Sequence, residues 1–366
     1  MSVESNILRL QKEKDPGVGG TLILGMLSAL ETLYRRGVIS RRQKEMAGAE
    51  TVSIPVISVG NMTAGGTGKT PCIIRLTEML KQSGHRPAVL TRGYRGKLEK
   101  NGGIVSDWNQ VLLPAKEAGD EPYMMAFKMP HVPVLVGKDR NASAEKAIAM
   151  GADVLLLDDG FQYWRLNRDL DIVLIDCTNP FGAGHLLPRG LLREQLDCIQ
   201  QADVFVLNKS DQVKKKKKQE IIRKIREIHP KAPVVESHHT PTGIIEYHDW
   251  KRKEKVSAEE GRGRKAFLLC GIGNPDSFTR TAEELGITVT GTMYFPDHHR
   301  YTVDDIRAAE RRARETGAEI LLTTEKDIVK IKEASEIPLY ALKIEMKFTG
   351  DGERCMNELI SRVFGV

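Results

Sequence analysis

From Ser53 onward, short apolar runs alternate with stretches whose apolar residues recur at helical spacing. Ile54 to Val59, Ala88 to Thr91, Val132 to Val136, Val154 to Leu157, Ile172 to Ile175 and Val204 to Leu207 are runs of strand length with little polar alternation. That pattern predicts strands covered on both faces, as in a parallel sheet. Between them Pro71 to Gln82 sets Ile73, Leu76 and Leu80 on one helical face. Strands alternating with helices need crossover connections, so this part of the chain is expected to form a three-layer α/β sheet. Ala266 to Leu269, Ile287 to Thr290 and Glu319 to Leu322 are a further set of predicted strands, with helices near Ser277 to Leu285 and Val303 to Thr316. They predict a smaller C-terminal α/β lobe.

The N-terminal part has a different pattern. Gly17 to Leu30 carries no charge, and Leu22, Met26, Leu30 and Leu33 recur at helical spacing before Arg35, Arg36, Arg41, Arg42 and Lys44. A membrane span needs about 20 apolar residues, so this segment is too short to cross. The stripe alone is read as a helix packing its apolar side on the core; an interfacial amphipathic helix is the other arrangement it allows. The resulting organisation is an N-terminal helix region over 1–45, a nucleotide-binding domain over 46–213, a polar linker or insert over 214–264 and the C-terminal lobe over 265–366. The linker holds the run Lys214 to Lys218 and Gly261-Arg-Gly-Arg264.

Of the 366 residues, 40% are hydrophobic and 28% charged, which excludes a disordered tail protein, a collagen-like repeat and a multi-span membrane protein. The net charge of +6 is mostly the single Lys214 to Lys218 run. No nucleic-acid footprint is therefore expected, and the run is read as a solvated helix face or loop. The five cysteines include no C-x-x-C pair, which argues against a disulfide framework or zinc ribbon and for the reducing cytoplasm. Met1 to Pro16 is charged along its length and does not resemble a cleavable signal.

The chemistry starts at Ile57-Ser-Val-Gly-Asn-Met-Thr-Ala-Gly-Gly-Thr-Gly-Lys-Thr70, a glycine-rich loop between a predicted strand and a predicted helix. Successive N–H groups there can wrap a polyphosphate, and the helix N-terminus adds partial positive charge. Thr63, Ala64, Gly65, Gly66, Thr67, Gly68, Lys69 and Thr70 are the candidate nucleotide-binding residues, with Lys69 on the outer phosphates and the Thr70 hydroxyl on magnesium (Mg2+). Thr63 stands where the usual pattern has its first glycine. Val154-Leu-Leu-Leu-Asp-Asp159 ends a strand in two carboxylates suited to the same ion. Asn208-Lys-Ser-Asp211 matches the guanine-reading N-K-x-D of GTP-binding proteins, or else is a polar strand-to-helix turn capped by Ser210 or Asp211. At this level the residues reach phosphoryl transfer from a nucleotide, with the acceptor, a soluble metabolite included, left open and a GTP-binding switch as the competing reading.

The motifs Val59-Gly-Asn-Met-Thr-Ala-Gly-Gly-Thr-Gly-Lys-Thr70, Arg92-Gly-Tyr94, Gly119-Asp-Glu-Pro122, Val136-Gly-Lys-Asp-Arg140, Leu157-Asp-Asp-Gly-Phe-Gln162, Arg168-Asp-Leu-Asp171, Pro188-Arg-Gly-Leu-Leu-Arg-Glu194, Gly271-Ile-Gly-Asn-Pro275, Phe295-Pro-Asp-His-His299 and Thr323-Thr-Glu-Lys-Asp327 occur in that order. The ordered set, spanning both predicted lobes, resembles the tetraacyldisaccharide 4′-kinase family of lipid A biosynthesis. The resemblance implies a P-loop kinase-like fold and an ATP-dependent transfer to the 4′-hydroxyl of tetraacyldisaccharide 1-phosphate. It implies work at the cytoplasmic face of the inner membrane, reached peripherally through a helix at Thr21 to Leu33. By the same resemblance Asp120 is the catalytic base, and His298, chosen over His299, orients or polarises it. Lobe closure is then expected to bring that histidine into the site. Thr70, Asp158 and Asp159 are the expected metal ligands, with Glu194 as a further or outlying one. Arg140 and Arg193 are expected on phosphate, and Tyr94 beside the nucleotide or sugar. A monomer is the default.

Overall fold

The computed structural model describes residues 17–94, 96–252, 261–297, 299–332 and 335–365. In chain order the strands are β1 (Val56–Asn61), β2 (Pro87–Thr91), β3 (Gly103–Ser106), β4 (Val134–Val136), β5 (Val154–Asp158), β6 (Leu170–Asp176), β7 (Val204–Asn208), β8 (Val234–Glu246), β9 (Lys265–Cys270), β10 (Thr288–Tyr294), β11 (Ile320–Thr324) and β12 (Leu339–Phe348). The longer helices are α1 (Gly17–Ala47), α2 (Lys69–Gln82), α3 (Asp120–Lys128), α4 (Arg140–Ala149), α5 (Lys215–Ile228), α6 (Pro275–Glu284), α7 (Val303–Glu315) and α8 (Gly352–Val363). The chain divides into two units. The first takes residues up to Arg92, Asp139–His238 and the segment from Phe348; the second takes Gly93–Lys138 and His239–Lys347.

In the first unit the strands lie in the order β8-β7-β6-β1-β5-β2, and every neighbouring pair is parallel. Strands β1, β2, β5, β6 and β7 are buried along their whole length, as their continuous apolar runs predict. Val59 of β1 pairs with Asp158 of β5, so the loop leaving β1 emerges beside the two aspartates that end β5. Gly60 makes this approach possible: a Cβ there would lie 2.4 Å from Cβ of Phe161. Helix α2 buries Cys72, Ile73, Leu76, Met79 and Leu80 in this core. On the other side Phe205 and Leu207 pack with Ile221 and Ile225 of α5.

Helix α1 turns the opposite way, which corrects the core-packed reading of its stripe. Leu22, Met26 and Leu33 are 68%, 64% and 63% exposed, while Glu31 is buried. The helix docks on the first unit through polar groups. Leu186 N donates to Glu31 Oε1 at 2.9 Å, His185 lies 3.3 Å from the same carboxylate, and Tyr34 Oη donates to the Arg193 carbonyl at 3.1 Å. No described helix is long and apolar enough to cross a membrane.

In the second unit β10, β9, β11 and β12 run parallel in that order, with β3 and β4 pairing antiparallel. Alternation along the strands sends Phe267, Leu269, Leu321 and Leu339 to one apolar cluster, and Leu268, Cys270, Leu322 and Tyr340 to another. Helix α3 belongs here: Tyr123 and Phe127 pack on the first cluster, Phe127 stacks on Trp250 at 4.2 Å, and Lys128 pairs with Glu325 at 2.7 Å. These contacts draw residues 93–138 out of the stretch 46–213 that the sequence pattern assigned to one domain. The stretch 214–264, expected as a polar linker, carries α5 and β8. Its apolar signal is sparse because α5 buries only Ile221 and Ile225 and β8 is half-exposed along much of its length.

Candidate active site

The glycine-rich loop is fixed by backbone geometry before any side chain matters. Gly65 has φ 108° and Gly68 φ 88°, conformations that carry strain for residues with a Cβ, and Gly68 caps α2 from this left-handed region. Thr63 is not among the positive-φ residues, so the departure from the usual first glycine costs no backbone strain. The start of the loop is pinned to the segment before Glu194: Ala64 N donates to Leu191 O at 2.8 Å, and Arg193 N to Met62 O at 2.8 Å. Its far side is held by Asn208, whose Nδ2 donates to Thr67 O at 2.8 Å while Ser237 Oγ donates to Asn208 Oδ1 at 3.2 Å. The asparagine of Asn208-Lys-Ser-Asp211 therefore braces the loop. Lys209 pairs with Asp176, and α5 starts only at Lys215 without a side-chain cap. Neither Ser210 nor Asp211 caps it, contrary to the turn reading.

At the mouth of this loop three sequence-predicted residues meet. Lys69 Nζ lies 3.3 Å from Asp159 Oδ1, and Arg193 chelates the same carboxylate, with Nη1 at 2.8 Å from Oδ1 and Nη2 at 2.5 Å from Oδ2. A fourth member, Asn61, is absent from the expected set. Its Oδ1 accepts from Lys69 Nζ at 3.1 Å and from Arg193 Nη1 at 3.3 Å. Asn61 lies within the quoted Val59 to Thr70 motif, and as the last residue of β1 it stands where strand ends face a ligand crevice. Burial acts to raise the Asp159 carboxyl, but Lys69, Arg193 and Arg140 outweigh it and hold the group below the usual carboxylate range.

Asp158 and Arg140 sit beside this cluster. Thr91 Oγ1 donates to Asp158 Oδ2 at 2.9 Å, and Arg140 Nη2 donates to the Asp158 carbonyl at 3.3 Å. Burial lowers the Arg140 guanidinium below its ordinary range, with Asp159 and Asp158 opposing the shift. Its Nε has no hydrogen-bond partner among the described residues. A buried cation with an unused donor among carboxylates is a fitting phosphate contact.

Glu194 goes elsewhere. Its side chain is 1% exposed and accepts a hydrogen bond from Cys198 Sγ at 3.5 Å, with Arg42 of α1 at 4.0 Å. Burial raises its carboxyl, with Cys198 and Arg42 opposing. Thr70 stands in the first turn of α2. Among the described residues no group of three or more His, Cys, Asp or Glu is gathered for a metal. A hydroxyl and two adjacent carboxylates nonetheless match the chemistry of magnesium, which takes one or two carboxylates and completes its shell with phosphate and water.

Tyr94 and Asp120 belong to the second unit. Tyr94 is exposed, and Asp120 opens α3 after Gly119. His298 lies outside the described residues, but its neighbours Asp297 and His299 are in the same unit as Asp120. Asp120 and this loop are thus parts of one unit, while the phosphate loop belongs to the other. His299 is engaged with Asp305 at 3.0 Å and stacks on Phe295 at 4.3 Å.

A phosphate loop at the end of a buried parallel strand, two aspartates ending the next, and cations converging between them define a P-loop phosphotransferase. A family model described as tetraacyldisaccharide-1-P 4′-kinase matches residues 23–363. The chain is 38% identical over 359 residues to the tetraacyldisaccharide 4′-kinase of Syntrophus aciditrophicus (strain SB), covering 95% of each. It is 42% identical over 303 residues to that of Anaeromyxobacter sp. (strain K), covering 82% of this chain and 77% of the relative. Among solved structures, the crystal structure of LpxK from Aquifex aeolicus, an "apo" form in complex with ATP, superposes with a TM-score of 0.73 at 30% identity over 93% of this chain and 99% of that one. The chain belongs to the tetraacyldisaccharide-1-P 4′-kinase family and has its α/β fold, which sets aside the GTP-binding switch.

Proposed function

We propose that the chain transfers the γ-phosphoryl group of ATP to the 4′-hydroxyl of tetraacyldisaccharide 1-phosphate, the lipid A disaccharide precursor. The observation that carries this reading is the convergence of Lys69, Arg193, Asn61 and Asp159 at the mouth of the phosphate loop. The 4′-oxygen forms a bond to the γ-phosphorus, the bond to the β,γ-bridging oxygen breaks, and ADP leaves with that electron pair. Asp120 takes the hydroxyl proton, and His298 orients it. The loop amides and Lys69 hold the β- and γ-phosphates, while Arg140 and Arg193 supply charge as it develops on the transferred group. Thr70, Asp158 and Asp159 would hold magnesium, which when bound neutralises charge on the phosphate oxygens. Tyr94 lies beside nucleotide or sugar. Glu194, buried against Cys198 and Arg42, supports the Arg193 segment from behind.

The acceptor is amphiphilic and has to be met at a bilayer surface. The exposed Leu22, Met26, Leu30 and Leu33 of α1, followed by arginines, suit peripheral attachment to the cytoplasmic face of the inner membrane. The test is phosphate transfer from labelled ATP to tetraacyldisaccharide 1-phosphate in detergent micelles, with GTP run in parallel. Wild type should prefer ATP, and Lys69→Ala should lose about 10²–10³ in rate. Transfer that survives Lys69→Ala, or that prefers GTP, overturns the reading; a soluble acceptor phosphorylated faster than the lipid replaces the substrate.

A further inference from the structure

Three of the ordered motifs meet at one side chain in the second unit. Lys326, in Thr323-Thr-Glu-Lys-Asp327, places Nζ 2.9 Å from Glu121 Oε1 and 3.2 Å from Asp297 Oδ1. Glu121 directly follows Asp120 in the chain, and Asp297 directly precedes His298. We propose that Lys326 is a positioning residue that sets the start of α3, with Asp120, against the loop that carries His298. The proposal rests on the assignment of those two residues under Proposed function.

The lysine is itself held from both sides. Thr324 caps the short helix Glu325–Ile328 by accepting from Asp327 N at 3.1 Å, and Asp327 Oδ2 accepts from Gly271 N at 3.1 Å. Glu325 accepts from Lys128 Nζ at 2.7 Å. Two consecutive residues, Glu325 and Lys326, thus grip the last and the first turn of α3. The cation is the sheltered member of its triad, 19% exposed against 40% for each carboxylate. Burial acts to lower its ammonium, but Glu121 and Asp297 outweigh that and keep it charged.

Ion pairs with carboxylates this exposed contribute little to stability. What an ammonium between two carboxylates supplies is a fixed separation: its three donors can satisfy both at once, and each partner is one peptide unit from a residue assigned to the proton transfer. Misplacing such groups by about 1 Å can cost a hundredfold in rate.

The experiment compares wild type with Lys326→Met, Lys326→Arg, Asp120→Ala and the double variant Lys326→Met/Asp120→Ala, at temperatures well below unfolding. Lys326→Met is expected to lower kcat by about 30- to 100-fold while KM for ATP stays within about twofold, and Lys326→Arg to restore kcat to within about fivefold. In the Asp120→Ala background the same change should cost less than about threefold, because residues acting as a unit are non-additive. If Lys326→Met fails to fold, Glu121→Gln and Asp297→Asn remove each contact with the lysine in place, and each should lower kcat with KM for ATP unchanged. Near wild-type kcat in Lys326→Met, or in both single-contact variants, while Asp120→Ala is strongly impaired, overturns the positioning role alone. Fully multiplicative losses in the double variant overturn it too. Wild-type kcat in Asp120→Ala strikes the base assignment, and the proposal falls with it.

Discussion

Helices α1 and α2 belong to the same unit and carry stripes of similar spacing, Leu22, Met26, Leu30 and Leu33 in one and Ile73, Leu76 and Leu80 in the other. The second stripe is buried completely. The first lies in the open, while the polar side of α1, with Glu31, Tyr34 and Arg42, meets the segment around Leu186 to Cys198. Periodicity identifies a face and leaves open what covers it. In α1 that is settled by specific partners for buried polar groups, since an unpartnered carboxylate would be too costly to bury. The docked face also touches the segment that carries Arg193, because Tyr34 donates to the carbonyl of Arg193.

The sharpest way to break the contrast is a pair of truncations. Leu76→Ala should destabilise the protein by about 2–5 kcal/mol, the cost of a cavity in a packed core. Met26→Ala should stay within about 0.5 kcal/mol, as for other exposed positions. Urea unfolding followed by circular dichroism measures both, and equal losses would mean that the Met26 stripe has a folded-state partner on this chain.

Next in size is the anchor of α1. Glu31→Ala leaves the buried Leu186 N without its acceptor, which costs about 1–3 kcal/mol. The loss should appear as faster hydrogen exchange along α1 with α2 still protected. Protection unchanged in both helices would show that the polar face is not what holds α1.

How much of this was legible follows the same division. The strands around the phosphate loop were readable because burial on both faces leaves an unmistakable apolar run, and the glycine-rich string ending at Thr70 marks a loop whose left-handed positions, Gly65 and Gly68, favour glycine. Strand β8 was not, since a half-exposed strand whose buried apolar side chains are Val235 and then Ile244 and Ile245 lacks such a run. The membership of 93–138 in the second unit rests on contacts far apart in sequence, such as Phe127 on Trp250 and Lys128 on Glu325, which no local pattern reports. In the site, Lys69, Asp159 and Arg193, each a candidate on sequence, stand together. The part of Asn61 shows only in its contacts with Lys69 and Arg193, which a single asparagine at the end of an apolar run does not report. Glu194, expected as a further or outlying metal ligand, points to Cys198 and Arg42 instead, because an irregular segment does not keep consecutive side chains on one side.

A third effect separates the two stripes by partner instead of stability. Replacing Leu22, Met26, Leu30 and Leu33 by serine should leave unfolding in solution almost unchanged, yet lower co-sedimentation with anionic vesicles by about tenfold or more, since each apolar side chain is worth up to about 1.5–3 kcal/mol when fully buried. Serines placed along α2 would unfold the protein instead. Undiminished vesicle binding would move the membrane contact away from α1.

The smallest effect lies at the start of α2, where the charge of Lys69 meets Asp159. The Asp159 carboxyl is held below its usual value of 3.8 by Lys69, Arg193 and Arg140 against the opposing effect of burial. With the folded group lowered, its stabilisation is fully present above the unfolded value and fades as pH falls through the folded one, where the native carboxylate must also take up a proton. The stability gap between wild type and Asp159→Asn should therefore be level from neutral pH down to about pH 4 and narrow below it. Because the site is partly open to solvent, the gap should not exceed about 1 kcal/mol, and added salt should shrink it. A parallel series on Met26→Ala, which alters no charge, should follow wild type at every pH. A gap for Asp159→Asn that widened on acidification would mean the carboxylate is strained by its neighbours instead of held by them, and the start of α2 would then owe its place to the glycine backbone alone.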